Sequence, residues 1–378
     1  MEFRKIEILG IETSLLGFGC MRFPLNQDGG IDEARSQAMI DTAYRRGVNY
    51  YDTAYVYHEG KSEAFTGKAL DKYDRSSYYI ATKLPIWMVE SREDAVRIFE
   101  EQLIRLNKDY IDFYLCHSFN RDTFHHMVRL GILDYLDQLK EEGKIKYLGF
   151  SFHDEYEAFE EIIKYRQWDF CQIQLNYMDT LIQAGMKGYQ LAEELGVPVI
   201  IMEPVKGGSL AKLPDNAAQI FEDIQPGQSP ASWALRWVGS LPNVKVILSG
   251  MSEEEQVGDN LHTFETFTAL NTEEQDAVKK VALILKNKVK NGCTGCSYCM
   301  PCPAGVNIPR SFGLWNDYGR YGNKGDIRWQ WTFNFEEQQK AKNCVECGMC
   351  EEVCPQMLQI RQDLKTVQSE FDAVCAEA

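Results

Sequence analysis

The feature of this sequence that most restricts its fold is a regular alternation of short apolar segments and longer amphipathic stretches over the first 265 residues. Eight segments are typical of strands because they are short runs rich in β-branched and aromatic residues. They are TSLLGFG (13–19), VNYYD (48–52), YYIATK (78–83), YIDFYLCH (110–117), KIKYLGFS (144–151), DFCQIQL (169–175), VPVIIM (197–202) and VKVILSG (244–250). Eight strands, each followed by a helical pattern, in about 250 residues predict a (β/α)8 or TIM barrel, an α/β fold.

Helix signals lie between these strands. Candidate helices begin at Asp32 (DEARSQAMIDTAYRRG), at Ser91 (SREDAVRIFEEQLIRL) and at Ser229 (SPASWALRWV). Ser91 and Ser229 have N-cap character, and Pro230 suits the first position of a helix. A doubly wound open sheet is the alternative fold, but its first strand normally leads into a glycine-rich dinucleotide turn, which LGFGCMRF does not supply. The opening segment FRKIEILGIETSLLGFG predicts a hairpin that closes the bottom of the barrel.

A second domain is expected after the barrel. Thr272 and Gln275 have the pattern of a capping box, and the apolar spacing after them predicts a helix to about Lys288. We therefore predict a barrel domain over residues 1–270. Residues 271–378 are predicted to form a helical linker and a small, mainly helical domain that contains most of the cysteines.

Charge and hydropathy exclude two classes of partner. The net charge is −16, and we find no basic stripe of the kind that binds nucleic acid. The same charge disfavours docking onto an anionic membrane. No apolar run approaches the roughly 18 residues of a membrane helix, and MEFRKIEILG lacks the features of a signal peptide. We expect a cytoplasmic protein, where clustered cysteines are metal or redox ligands more often than disulfides.

Polar residues stand at the ends of three consecutive predicted strands. These are Asp52, Lys83 and His117, with Tyr57 in the loop after Asp52. In a barrel such positions meet at the mouth that carries the active site. A carbonyl reduced by hydride needs a proton, and a tyrosine beside an ammonium group is a suitable donor because the ammonium lowers the pKa of the phenol. Asp52 would hold Lys83 by an ion pair, and a neutral His117 could donate a hydrogen bond to the carbonyl oxygen.

The segments that carry these residues resemble the landmarks of the aldo-keto reductases. They are NYYDTAYVYHEGKSEAFTGKAL, ATK, DFYLCHS, GFS and SPASWALRWV, in the order and at the spacing of that family over roughly residues 1–265. The resemblance implies a (β/α)8 barrel that binds NADP(H) or NAD(H), a small-molecule carbonyl substrate, and a catalytic tetrad of Asp52, Tyr57, Lys83 and His117.

The resemblance also implies cofactor contacts. Ser151 and Gln172 match positions that bind the nicotinamide carboxamide, although Phe152 and His153 follow Ser151 where an asparagine is usual. Gln256 falls where an arginine often binds the 2′-phosphate of NADPH, which weakens the case for NADPH. The remaining implied contacts are Met202 at the nicotinamide ring, Glu203, Pro204, Val205, Gly207 and Gly208 in the loop over the pyrophosphate, and Asn260.

Eight of the twelve cysteines lie in two short runs. The second run has the C-x2-C-x2-C-x3-C-P spacing of bacterial ferredoxins, and the first differs by one residue in its last gap. Two zinc sites of four thiolates would also use eight cysteines, but zinc modules favour paired C-x2-C knuckles. The resemblance implies two [4Fe-4S] clusters, each completed by the fourth cysteine of the other run. The predicted ligands are Cys293, Cys296, Cys299 and Cys302 in the first run and Cys344, Cys347, Cys350 and Cys354 in the second.

A barrel of this family with a ferredoxin-like tail is similar to reductases of anaerobic bacteria. The first hypothesis is an oxidoreductase that transfers a hydride between NAD(P)H and a carbonyl or alcohol, with clusters that transfer electrons or stabilise the tail. The alternative is an electron-transfer or redox-sensing protein whose barrel is mainly a docking body. A ferredoxin or a flavoprotein would then be the protein partner.

Overall fold

The computed structural model describes residues 1–293 and 295–377. Eight parallel strands form a closed barrel in the order β10-β3-β4-β5-β6-β7-β8-β9. The barrel strands are β3 (Leu16–Gly19), β4 (Tyr50–Asp52), β5 (Tyr79–Pro85), β6 (Ile111–Phe119), β7 (Ile145–Phe152), β8 (Phe170–Gln174), β9 (Val199–Met202) and β10 (Val244–Gly250). The predicted (β/α)8 barrel is therefore confirmed.

An antiparallel hairpin precedes the barrel. It consists of β1 (Phe3–Ile6) and β2 (Ile11–Ser14), paired from Phe3 opposite Ser14 to Ile6 opposite Ile11. The buried side chain of Ile6 packs in one apolar cluster with Tyr50, Ala81 and Phe113 inside the barrel. Because Tyr50 begins its strand, this cluster lies towards the amino-terminal end of the strands, as expected for a hairpin that closes the bottom of the barrel.

Helices follow the strands in sequence. Those up to residue 265 are α1 (Glu33–Arg45), α2 (Ser62–Leu70), α3 (Arg92–Leu106), α4 (Arg121–Arg129), α5 (Ile132–Glu141), α6 (Tyr156–Tyr165), α7 (Gly185–Glu194), α8 (Asp215–Ile224), α9 (Pro230–Gly239) and α10 (Glu254–Glu265). The later helices are α11 (Thr272–Asn287), α12 (Ile308–Tyr321), α13 (Lys324–Trp329), α14 (Met349–Glu352) and α15 (Ile360–Ala376). The cysteine-bearing tail is thus mainly helical, as predicted. In the described residues no helix is both long and apolar enough to cross a membrane.

Helix caps agree with the sequence in two places and differ in a third. The Asp32 side chain caps α1, and the Ser91 side chain caps α3 by accepting from the Asp94 amide. The predicted capping box at Thr272 and Gln275 is wrong by one residue. The Asn271 side chain accepts from the Glu274 amide at 3.0 Å, and the Glu274 carboxylate accepts from the Asn271 amide at 2.8 Å.

The chain divides into two compact units. The first comprises residues 1–206 and 231–275, and the second comprises residues 207–230 and 276–378. Each has apolar residues of its own to bury: the second unit contains a cluster that includes Phe312, Trp315, Trp331 and Phe371. The aromatic residues between the cysteine runs therefore build a small core. The boundary at residue 270 stays a prediction.

Candidate functional site

Lys83 connects the carboxylate and the phenol that the sequence singled out. Its Nζ lies 2.7 Å from Asp52 Oδ1 and 3.3 Å from the hydroxyl of Tyr57, and it also donates to the carbonyl oxygen of Thr53 at 2.7 Å. Lys83 is fully buried and Asp52 is 3% exposed. Asp52 ends β4 and Lys83 lies on the neighbouring strand β5, so parallel pairing brings the two side chains to the same mouth of the barrel.

Burial and charge act in opposite directions on these groups. Burial lowers the pKa of Lys83, but the Asp52 carboxylate and the Tyr57 hydroxyl outweigh it, so the net shift is upward and the side chain stays an ammonium. Burial raises the pKa of Tyr57 above its ordinary value of 10.0, and Lys83 pulls it down without fully offsetting burial. Lys83 thus acts in the direction expected from the sequence, while the phenol remains protonated at neutral pH.

His117 lies beside this pair. Its ring is 6.0 Å from that of Tyr57, edge to face, and 5.0 Å from that of Trp87. Burial is the main cause that holds the pKa of His117 well below 6.5, and the charges of Lys83 and His153 lower it further. Its Nδ1 is buried and has no hydrogen-bond partner among the described residues. The imidazole is therefore neutral at neutral pH, as the sequence predicted, and can take part in a hydrogen bond at the mouth.

The segment that follows Tyr57 has an unusual backbone. His58 and Glu59 adopt left-handed conformations with φ of 50° and 57°, and Gly60 continues with φ of 84°. Such conformations cost L-residues about 1 kcal/mol or more each and persist when neighbouring contacts impose them. One such contact is the His58 ring, whose Nε2 accepts from the Phe23 amide at 3.2 Å. Tyr57 is thus presented by a strained and fixed turn.

Two residues predicted to bind the nicotinamide have free hydrogen-bonding capacity. The Oε1 atom of Gln172 is buried without a partner among the described residues, while its Nε2 lies 3.6 Å from the sulfur of Met202. The Ser151 hydroxyl accepts from the Ser118 amide at 2.7 Å, which leaves its own proton available. One acceptor and one donor, both nearly fully buried, fit the NH2 and the oxygen of a carboxamide.

The loop after β9 also has a strained backbone. Glu203 and Lys206 are left-handed, with φ of 57° and 50°. The carbonyl of Glu203 accepts from the Asn176 side chain at 3.1 Å, and the Lys206 ammonium pairs with the buried Asp179 at 2.8 Å. Of the other predicted loop residues, Pro204 and Val205 follow Glu203 directly, while Gly207 and Gly208 belong to the second unit and have positive φ.

The residues predicted near the adenosine are engaged with protein groups. The Gln256 side chain accepts from the Ser252 amide at 2.8 Å. Asn260 donates to the Ser249 hydroxyl at 2.9 Å. Of the three glutamates before Gln256, Glu253 and Glu254 both pair with Arg35 at 2.7 Å.

The eight predicted cluster ligands fall into two groups of four around two cavities. One cavity is lined by Cys293, Cys296, Cys299 and Cys354, and the other by Cys302, Cys344, Cys347 and Cys350, with Cys299 on its wall. Each group therefore takes three sulfurs from one run and one from the other. In the described part of the chain no three potential ligands gather as they do around a single metal ion.

Both cysteine runs fold in the same way. The second residue after the leading cysteine is left-handed in each run: Gly295 with φ of 72° and Glu346 with φ of 56°. The fourth residue is left-handed too: Ser297 with φ of 62° and Gly348 with φ of 84°. The same backbone conformation therefore recurs at equivalent positions of the two runs, with glycine at one position of each pair and Glu346 or Ser297 at the other.

A barrel whose strand ends gather these polar side chains belongs to the class of (β/α)8-barrel enzymes. A family model described as the aldo/keto reductase family matches residues 15–283, and this chain belongs to that family of oxidoreductases. A model described as a 4Fe-4S dicluster domain matches residues 292–359. The chain is thus an aldo/keto reductase with a carboxyl-terminal 4Fe-4S dicluster domain.

Known proteins are similar to this chain. A solved aldo-keto reductase, AKR11C1 from Bacillus halodurans in its holo form, superposes with a TM-score of 0.64 at 27% identity and covers 74% of this chain and 96% of its own. The uncharacterized oxidoreductase YqkF of Bacillus subtilis is 25% identical over 69% of this chain and 90% of its own length. An NADH-specific methylglyoxal reductase of Escherichia coli is 26% identical over 64% of this chain and 85% of its own.

Several residues at the site were not found from the sequence. Trp87 is half exposed and lies beside His117. In the sequence it stands in ATKLPIWM, four residues after Lys83, and this spacing was the signal that could have identified it. His58 supports the site through a partly buried hydrogen bond, and Glu63 and Gln102 through buried ones. Nothing in the sequence spacing of these three residues separates them from ordinary helix and loop residues.

Proposed function

We propose that the barrel is an NAD(P)H-dependent reductase of small carbonyl compounds. The observation that carries the proposal is the Lys83 ammonium, held 2.7 Å from Asp52 and 3.3 Å from the Tyr57 hydroxyl. This arrangement places a proton donor beside a fixed positive charge in a buried site, where electrostatic interactions are stronger than in water. We also propose a cytoplasmic location.

Each residue of the site has a separate role in the proposed reaction. A nicotinamide cofactor, when bound, supplies the hydride. Tyr57 delivers its proton to the carbonyl oxygen as negative charge develops there, and Lys83 stabilises the phenolate that remains. Asp52 keeps Lys83 charged and in place. The neutral His117 orients the carbonyl oxygen, and Trp87 offers an aromatic wall to the rest of the substrate.

Gln172 and Ser151 would hold the carboxamide of that cofactor, because the one has an unpartnered buried acceptor and the other an available hydroxyl proton. At the adenosine end the described residues give no strong advantage to NADPH over NADH. Gln256 already bonds to the Ser252 amide, and the nearby Arg35 is occupied by two carboxylates. The E. coli relative named as an NADH-specific methylglyoxal reductase supports both the cofactor and a small carbonyl substrate.

The test is oxidation of NADH and NADPH by the anaerobically purified protein against a panel of aldehydes, ketones and dicarbonyls. The expected result is turnover of at least one carbonyl that disappears in Tyr57→Phe. Turnover that is equal in wild type and Tyr57→Phe would contradict the proposal.

We further propose that the tail binds two [4Fe-4S] clusters and that they exchange electrons at the protein surface. The supporting observation is exposure: Cys296 and Cys347, one from each group of four, are both exposed. Tyr298 and Met349, two residues after them, are 68% and 57% exposed. A purely structural cluster has no need of an exposed edge. A ferredoxin or a flavoprotein would be the partner, because each cluster moves one electron at a time whereas nicotinamide moves two.

Anaerobic iron and sulfide analysis tests the cluster content, with roughly eight irons per chain expected for two clusters. Stopped-flow spectroscopy then follows bleaching of the cluster absorbance by a reduced ferredoxin or flavodoxin. Bleaching faster than by dithionite alone supports exchange. Clusters that resist reduction by every carrier would leave a structural role as the better account.

A further inference from the structure

A buried carboxylate lies behind the tetrad. Glu63 is on α2, is fully buried, and uses one oxygen, Oε1, to accept from the hydroxyl of Thr82 at 2.6 Å and from Nε2 of Gln102 at 2.7 Å. Burial raises the pKa of Glu63, against the effect of these hydrogen bonds and of Arg105. Burying an ionisable group costs free energy unless the group is paired and hydrogen-bonded, as Glu63 is here.

One side of this carboxylate connects to Lys83. The same Nε2 of Gln102 that donates to Glu63 also donates to the backbone carbonyl of Lys83 at 3.0 Å. The oxygen of the Gln102 amide accepts from the hydroxyl of Tyr114 at 2.6 Å, which fixes its orientation. Thr82, which donates to Glu63, is the residue immediately before Lys83. The lysine end of β5 is therefore held at two consecutive residues.

The other oxygen of the Glu63 carboxylate connects to the segment that carries Tyr57. Arg105 Nη1 lies 3.4 Å from Glu63 Oε2 and donates to the carbonyl of Tyr55 at 3.1 Å. The guanidinium of Arg105 also lies 3.9 Å from the centre of the Tyr55 ring. Tyr55 is two residues before Tyr57, so this contact fixes the start of the strained turn.

The helices that carry these side chains have little room to shift. At Gly67 on α2, a Cβ atom would lie 2.1 Å from the carbonyl oxygen of Leu106 on α3. Gln102 and Arg105 are both on α3. The close contact of the two helices keeps Glu63 in register with its partners.

We propose that Glu63 is a positioning residue that sets the separation of Lys83 and Tyr57, through Gln102 and Thr82 on one side and Arg105 on the other. The effect of Glu63 on turnover rests on the proposed function of Lys83 and Tyr57. The effect of Glu63 on the position of Lys83 relative to the Tyr57 phenol is independent of that proposed function.

The experiment compares Glu63→Leu, Glu63→Gln and Glu274→Gln in the full-length, cluster-loaded protein. Glu274 is the matched control because it is a buried carboxylate, 2.7 Å from Arg236, on helices that carry no tetrad residue. Proteins labelled with difluorotyrosine are titrated by 19F NMR, and the resonance of residue 57 is assigned by its loss in Tyr57→Phe. Fluorination lowers the phenol pKa into an accessible range.

In Glu63→Leu the phenol of Tyr57 should titrate at higher pH than in wild type, because Lys83 moves away from it. The kcat for carbonyl reduction should fall roughly 10- to 100-fold, with the dissociation constant of the cofactor unchanged. Glu63→Gln keeps an acceptor for Thr82 and Gln102 and should restore most of kcat. Glu274→Gln should lower the melting temperature without moving the phenol titration.

An unchanged titration and kcat in Glu63→Leu, with a melting temperature lowered as in Glu274→Gln, would overturn the proposal. If Glu63→Leu does not fold, Gln102→Met carries the same prediction, since it removes the donor to the Lys83 carbonyl. Absence of carbonyl turnover in wild type would refute the proposed function alone, because the NMR titration still decides the positioning role.

Discussion

Tyr57 carries the phenol on which carbonyl reduction depends. Tyr57→Phe removes the hydroxyl that lies 3.3 Å from Lys83 and little volume. Carbonyl reduction should therefore be abolished while cofactor binding, followed by fluorescence, stays largely intact. Tyr55→Phe is the matched control, because the Tyr55 hydroxyl donates instead to Glu101 at 2.6 Å. An inactive Tyr55→Phe beside a fully active Tyr57→Phe would show that the wrong tyrosine was chosen.

The pH dependence of reduction follows from two shifted groups. Reduction needs the protonated phenol, so its rate holds below the pKa of Tyr57, which burial raises above 10.0, and falls as pH rises through that value. The neutral form of His117 is required as well, and its pKa lies well below 6.5 because of burial. We expect kcat for reduction to be level from about pH 6.5 to 9.5. A midpoint inside that interval in a steady-state profile would contradict these directions.

Cofactor preference is set by the residues around Gln256. We expect NADH to bind no more than modestly worse than NADPH in a fluorescence titration. Gln256→Arg should improve NADPH binding by roughly 1.5 to 3 kcal/mol. Gln219→Arg on helix α8, which adds the same charge outside the predicted cofactor contacts, should leave NADPH binding unchanged. A hundredfold preference of wild type for NADPH would mean that another cation binds the 2′-phosphate. Arg22, whose side chain lies 3.2 Å from where a Cβ of Gly250 would be, is then the candidate.

At this scale the sequence predicted residues near the carboxyl ends of strands and missed those that act through the backbone. Asp52, Lys83 and His117 could be found because a strand end is visible in the pattern of apolar residues. Glu63 could not, because its role depends on a helix contact at Gly67 that only the folded chain reveals.

Among the elements, the strands of the barrel were predicted to within a few residues, and β10 was predicted at its observed bounds. The segment at residues 13–19 was wrong as one strand. It divides at Leu15 into β2 of the hairpin and β3 of the barrel. Residues 13–19 include no charged residue, and both halves are extended and buried. The sequence pattern alone therefore could not distinguish a strand that changes partners from one that does not.

The two cysteine runs are the elements that most directly test crossed ligation. Cys347→Ser removes a sulfur from the cavity that Cys302 completes. Because Cys299 and Cys302 lie on the same run, we expect both clusters to be disturbed, with iron content falling below half and the electron paramagnetic resonance spectrum changed for both. Cys375→Ser is the control, since Cys375 lies on α15 outside both cavities.

One undisturbed cluster in Cys347→Ser, with a normal spectrum, would count against crossing. About one zinc per run in the unmutated protein would refute the cluster proposal altogether. The barrel should keep its cofactor site in either case, and NADH titration of the variant checks this.

At the scale of the whole molecule, the family and the order of its two parts were predictable because each has its own sequence pattern. The assignment of residues 207–230 to the same compact unit as residues 276–378 was not. That segment lies between two barrel strands in the sequence, and its grouping depends on contacts between residues far apart in the chain. Nothing local in the sequence records such contacts.

Hydride transfer to carbon is the central claim, and isotope tracing measures it directly. The cluster-loaded protein is supplied anaerobically with NADH or NADPH deuterated at the transferred position and with the best carbonyl of the panel, and the alcohol is analysed by mass spectrometry. We expect one deuterium on the former carbonyl carbon, and no labelled product with Tyr57→Phe. Oxidation of the cofactor with electrons recovered on a ferredoxin or flavodoxin, and no deuterium in any alcohol, would contradict the claim and identify the protein as an electron-transfer component.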